Sequence, residues 1–157
     1  MDEDHPRSTA KIAGHPIHPM VVMFPIVLFI ASWVCDLLYW HSRDLTWATF
    51  GLITLGLGIV TAAIAAIFGM IDYFGDERVR AIPAATKHFG ANVAVVLIEI
   101  GSFAWRMSGG PDYVMRMGLV LSTVAVVLLG YSGWKGATLV YEYGVGVDSR
   151  RGHGQSR

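Results

Sequence analysis

At 157 residues the chain is long enough for one domain. A composition 54% apolar and 15% charged, with a mean hydropathy of +0.49, belongs to lipid rather than to water. Its 12 basic residues balance 12 acidic ones, which leaves no basic excess for nucleic acid, and the single Cys35 excludes an intrachain disulfide framework or a zinc ribbon.

Residues 1–12 form a polar tail. Its acidic start, Met1-Asp-Glu-Asp4, does not read as a cleaved signal, and Val34 is too large to precede a lipoprotein cysteine at Cys35. Next comes Ala13-Gly-His-Pro-Ile-His-Pro-Met20, with two histidines each held in front of a proline. Proline disfavours the α region for the residue before it, so His15 and His18 are expected in extended or polyproline II geometry. At about 3.1 Å per residue, the two imidazoles would point the same way roughly 9 Å apart. Pro19 suits the first helical position, where its missing N–H costs nothing.

Residues 13–147 read as one membrane domain with four spans. The first, 20–40, is about the length needed to cross ~30 Å of hydrocarbon. Pro25 should kink it, and Asp36, a turn from its end, should reach water. The second span, about 48–72, lies in an apolar run from Leu45 to Phe74 with no charge before Asp72, and that run would measure about 45 Å as a helix. Gly58, Ala62, Ala65, Ala66 and Gly69 form small-residue rows for close helix packing. The third span, 88–106, opens with His88 and Asn92 and carries Glu99 about 16 Å deeper at the helical rise. The fourth, 113–139, ends before a glycine-rich segment and a polar tail, 148–157. No internal repeat is evident along the chain. Eight Lys and Arg residues (Arg7, Lys11, Arg78, Arg80, Lys87, Arg150, Arg151, Arg157) flank one face against Arg43, Arg106 and Arg116 on the other, which favours cytoplasmic termini.

Antiparallel threading brings most polar residues to one face: His15 and His18 before span one, Asp72 closing span two, His88 and Asn92 opening span three, and Lys135 and Glu142 closing span four. Three chemistries fit. A b-type haem would take two axial imidazoles, with His18 and His88 as the natural pair, His15 as substitute and Asn92 beside them. A transition-metal ion would draw on His15, His18, Asp72 and His88. A proton-relay or quinone site would trade protons between His and Asp. Plainer readings stand beside these. His18 caps a helix, His88 rests among headgroups, Asp72 pairs with Lys135 or Arg78, and Glu99 is a protonated, hydrogen-bonded core residue. No nucleophile elbow, catalytic serine motif or phosphate loop marks a hydrolase.

The motifs Gly14-His-Pro-Ile-His-Pro-Met20, Phe24-Pro25, Asp36-Leu-Leu-Tyr39, Gly69-Met-Ile-Asp-Tyr73, His88, Gly133-Trp134 and the ending Leu139-Val-Tyr-Glu-Tyr-Gly-Val-Gly-Val147 carry a resemblance. Over roughly 12–147 the chain resembles the domain-of-unknown-function family 2231, small bacterial four-span membrane proteins. Similar domains can be joined to Rieske or cytochrome c modules, so the resemblance implies a redox setting. Relatives often carry a histidine just before the last Gly-Val-Gly-Val, where this chain has Tyr143, so a two-haem or multi-histidine site is less expected here.

The expectation is therefore an all-α, integral membrane, four-helix antiparallel bundle of the bacterial inner membrane. It would bind haem b or a metal ion for electron transfer, in contact with membrane lipid and a redox partner protein, and it could form a homodimer. The alternatives are an accessory structural subunit with no cofactor, and a small-molecule or proton-coupled transporter using Glu99 and Asp72.

Overall fold

The computed structural model describes residues 8–147; most of both polar tails, with Arg7, Arg150, Arg151 and Arg157, lies outside them. Six α-helices, one π-helical turn and one small hairpin make up the regular structure of the described residues. The hairpin pairs β1 (Lys11–Ile12) with β2 (His15–Pro16), closed by Ala13 and Gly14, both at positive φ as a two-residue primed turn requires. Helix α1 (Ile17–Val21) runs into α2 (Met23–Ser42), and together they form the first apolar span. The break between them falls beside Val21, whose carbonyl Pro25 cannot hydrogen-bond and whose position its ring crowds. His18 is helical rather than extended: Pro19 lies in the first turn of α1, where no N–H is needed, so the pre-proline restriction is overridden.

Arg43, left-handed at φ 58°, ends α2, and Asp44 caps α3 (Leu45–Gly75) by accepting from Thr46 N at 2.9 Å. A short α4 (Glu77–Arg80) leads to α5 (Pro83–Gly109), which starts on a proline. After Gly110 a π-helical turn (Val114–Gly118) feeds α6 (Leu119–Tyr141). The four long helices are apolar and long enough to cross a membrane. The all-α membrane bundle expected from the sequence is the fold observed.

Outward faces carry Phe24, Val27, Leu57, Val60, Leu97 and Val127, all exposed as lipid-facing residues must be. Inward faces are small or tightly fitted. Phe29, Leu55, Ala62, Val95 and Ala125 form the central core. A Cβ at Gly58 would lie 2.6 Å from the Phe29 ring, so α2 and α3 approach this closely only because that side chain is absent.

The helices pack as two hairpins, α2 with α3 and α5 with α6. Contrary to the reading of the sequence, these hairpins are a repeat. Asp36 and Arg106, 70 positions apart, are bonded to each other, and the same shift carries His18 onto His88, Pro25 onto Val95, Phe29 onto Glu99 and Ser32 onto Ser102. On the second helices Gly51, Leu55, Ala65 and Gly69 answer to Gly118, Ser122, Ser132 and Gly136. The contacts repeat as well. His18 bonds the Ala65 carbonyl and packs on Gly69; His88 bonds the Ser132 carbonyl and packs on Gly136. Trp33 of α2 meets Thr123 of α6, while Phe103 of α5 meets Gly56 of α3. Residues that touch their own counterparts lie on a two-fold axis, so an approximate two-fold runs along the bundle through both the histidine pair and the ion pair.

Candidate functional site

At the face where α3 and α6 end, the rings of His18 and His88 stand 6.4 Å apart, centroid to centroid, with planes at 85°. Both are half-buried. His18 Nδ1 lies 3.0 Å from the Ala65 carbonyl and His88 Nδ1 lies 2.9 Å from that of Ser132. A carbonyl can only accept, so both neutral rings are assigned as the Nδ1–H tautomer, and both Nε2 atoms keep a lone pair. Asn92 Nδ2 donates to His88 Nε2 at 3.1 Å, Ser132 Oγ donates to Asn92 Oδ1 at 3.0 Å, and His88 Nδ1–H also faces Ser132 Oγ at 3.0 Å, which closes a ring of three side chains. His18 Nε2 has no hydrogen-bond partner among the described residues. Gly69 and Gly136 make the seats: a Cβ on either would fall within 3.1 Å of an imidazole Cε1. Beside them Phe89 stacks on Tyr73 at 4.7 Å and ties α5 to α3.

The other residues expected at this face are elsewhere or otherwise engaged. His15 is exposed on the hairpin, its Nδ1 facing the carbonyl of Ala13. Asp72 binds the incoming chain instead of a metal, Lys135 or Arg78: its Oδ1 accepts from Ser8 Oγ, Thr9 N and Ala10 N at 2.8–2.9 Å. Lys135 reaches over the Tyr131 ring at 5.7 Å, and Glu142 is exposed just beyond α6. The set of His15, His18, Asp72 and His88 is therefore not assembled, and among the described residues no group of three or more His, Cys, Asp or Glu is placed to hold a metal ion. His5 and His153 lie outside the described residues.

A second polar layer occupies the opposite end of the bundle. Asp36 does not reach water. It is 0% exposed and takes a two-pronged contact from Arg106, Nη1 to Oδ1 at 2.6 Å and Nη2 to Oδ2 at 2.7 Å. Ser122 Oγ donates to Asp36 Oδ2 at 2.6 Å, and Arg106 also donates to Ser102 Oγ and the Gly118 carbonyl, each at 3.2 Å. Gly118 ends the π-helical turn and caps α6, so its carbonyl stands at the junction of the two. The sequence alone places Arg106 among the charges flanking the membrane and Asp36 in water; the available signal is that both close spans on the same face with opposite charges. The layers lie about 27 Å apart along α5 at the helical rise, close to the hydrocarbon thickness. Between them Glu99 is 0% exposed, and neither of its oxygens has a hydrogen-bond partner among the described residues, unlike the hydrogen-bonded core acid expected.

No curated protein and no solved structure matches the chain. A family model described as a predicted membrane protein, DUF2231, matches residues 14–149 and so takes in the His-Pro segment, both polar layers and the glycine-rich ending. By that match and by its four apolar helices, the chain is an integral membrane protein belonging to the DUF2231 family.

Proposed function

We propose that this membrane protein carries a redox centre at its paired imidazoles, with His18 and His88 as the residues that would hold a b-type haem. The observation that carries the reading is the pairing itself. Each Nδ1–H is tied to a backbone carbonyl of the neighbouring helix, the outer-shell arrangement that fixes the tautomer and orientation of a metal-bound histidine. The two rings stand 6.4 Å apart between centroids, close enough for both imidazoles to serve one group. Two donors suit a macrocycle that supplies the equatorial nitrogens itself, whereas a bare transition-metal ion needs a larger protein donor set than this pair.

Bound there, haem would supply one-electron transfer. The residues' own part is to orient and to exclude. Gly69 and Gly136 leave room for the rings, and Asn92 must turn from His88 Nε2 to release that lone pair. The hairpin 11–16 and the segment 142–147 meet where Gly146 approaches Pro16 and Ser8, and they limit water at this end. The balance of Lys and Arg favours this end in the cytoplasm of a bacterial inner membrane, where a redox partner protein would dock.

The closed ring of His88, Asn92 and Ser132 favours a second reading, a structural pin between α5 and α6 in an accessory subunit. Titrating the purified full chain with ferric haem separates the two. The redox reading expects a saturable Soret shift at one haem per chain, lost in His18→Ala and in His88→Ala and tightened in Asn92→Ala. A colourless protein after titration, with His88→Ala lowering only thermal stability, would establish the pin.

A further inference from the structure

One face of α5 carries His88, Asn92, Val95, Glu99, Ser102 and Arg106 at alternating spacings of three and four, the pattern of a stripe turned to one side of a helix. Val95, Glu99, Ser102 and Arg106 are buried, and His88 and Asn92 are half-buried, so the stripe faces the bundle interior from one end to the other. Five of its six residues are polar. The exception, Val95, is 1% exposed and lies in the apolar layer formed with Phe29, Leu55, Ala62 and Ala125.

Glu99 lies just beyond that layer with two unengaged oxygens. Its counterpart in the repeat is Phe29, which packs against Gly58 with no polar group to satisfy. An aromatic ring therefore fits this level of the bundle, and the carboxyl in its place brings a desolvation cost that packing does not require. A membrane-buried acid with no donor facing it is the state of a group that holds a proton itself.

The two sides of Glu99 differ. Toward the Asp36 end the way is shut by Arg106, whose guanidinium is held by Asp36, Ser102 and the Gly118 carbonyl, and a fixed positive charge repels protons. Toward the other end stands the apolar layer to which Val95 belongs, and past it the His88, Asn92 and Ser132 ring and His18, whose Nε2 has no hydrogen-bond partner among the described residues. The charged groups that act on Glu99 are Arg106 on its own helix and Asp36 on α2. Helix α3 carries only Asp72 and α6 only Lys135, both near the histidine end.

We propose that Glu99 is a proton-binding site inside the membrane, loaded and emptied from the histidine face, with Val95 as the closed point of the path. In loading, a hydronium ion passes its proton along water admitted past Val95 to the Glu99 carboxylate. The carboxylate becomes the neutral acid and the hydronium becomes water; unloading is the reverse. The site works with or without a haem at the histidines, so it stands apart from the redox reading.

Infrared spectroscopy of the purified full chain in lipid nanodiscs, moved from H2O to D2O, tests this. The wild type should show a carboxylic-acid C=O band that shifts on exchange and is missing in Glu99→Gln. Val95→Ala should speed the shift several-fold and Val95→Ile should slow it, while Ser102→Ala should leave it unchanged. The conservative pair at Val95 keeps the helix intact, and retained helical circular dichroism checks that it does. No acid band in the wild type, a rate indifferent to both Val95 variants, or a rate raised by Ser102→Ala would each overturn the proposal.

Discussion

Asp36 and Arg106 illustrate how a charge survives inside this bundle. Both carboxylate oxygens and all three guanidinium nitrogens have partners within 3.2 Å, so the desolvation of each ion is offset by geometry rather than by water. Removing one partner strands the other. Asp36→Ala or Arg106→Ala should each cost about 3–5 kcal/mol of stability. The two-fold makes a sharper prediction. The glycines beside the two positions, Gly51 and Gly118, leave similar room, since a Cβ on them would sit 3.4 Å from Asp36 Oδ1 and 3.2 Å from Arg106 Nε. The exchange Asp36→Arg with Arg106→Asp should therefore recover more than half of either single loss. Thermal unfolding in detergent reads this, and a double variant no better than the singles would refute the symmetry as an energetic fact. Histidines 18 and 88 are bound by the same logic, each with one nitrogen spent on a carbonyl and a glycine under its ring.

Helices here are positioned by what their side chains leave out. Gly58→Ala would drive a Cβ to 2.6 Å from the Phe29 ring, and overpacking of this kind should cost about 1–3 kcal/mol. Gly130→Ala meets nothing within 4 Å and should be neutral or mildly stabilising. Unfolding of the two variants side by side distinguishes packing from helix propensity, which alone would rank them equal. The start of α3 depends on Asp44, outside the spans. The backbone N–H of Thr46, with its side chain, holds the Asp44 carboxyl below the usual carboxylate range. A lowered value means that the folded state favours the charged cap. That stabilisation is present above the unfolded-state pKa and is lost as pH falls through the lowered folded value. Protection of the 45–48 amides, measured against their intrinsic exchange rates at each pH, should fall on acidification in the wild type, whereas Asp44→Asn, a cap without a charge, should show no such acid dependence.

On the scale of the whole molecule, two helical hairpins meet about one axis, with a polar layer at each end and an apolar core between. Lipid offers no hydrophobic force to join the halves, so their association rests on close packing and on the polar contacts at the axis. The first hairpin contributes Asp36 and Phe29 where the second contributes Arg106 and Glu99; these substitutions turn a symmetric scaffold into one with a pinned end and a buried acid.

Long apolar runs, turn residues between them and antiparallel threading were legible in the chain, because lipid forces every backbone group into a helix whatever the side chains do. That threading also brought His18, His88 and Asn92 to one face. The repeat was hidden because the few identities it keeps, such as His18 with His88, Ser32 with Ser102 and Gly69 with Gly136, are scattered among interchangeable apolar residues. Only the tertiary structure decided which polar groups are partners. Rotation of each helix about its own axis fixes whether Asp36 meets water or Arg106, whether Asp72 meets an ion or the backbone of Thr9 and Ala10, and whether Glu99 meets anything. Hydropathy, which is nearly uniform around these helices, carries no record of that rotation.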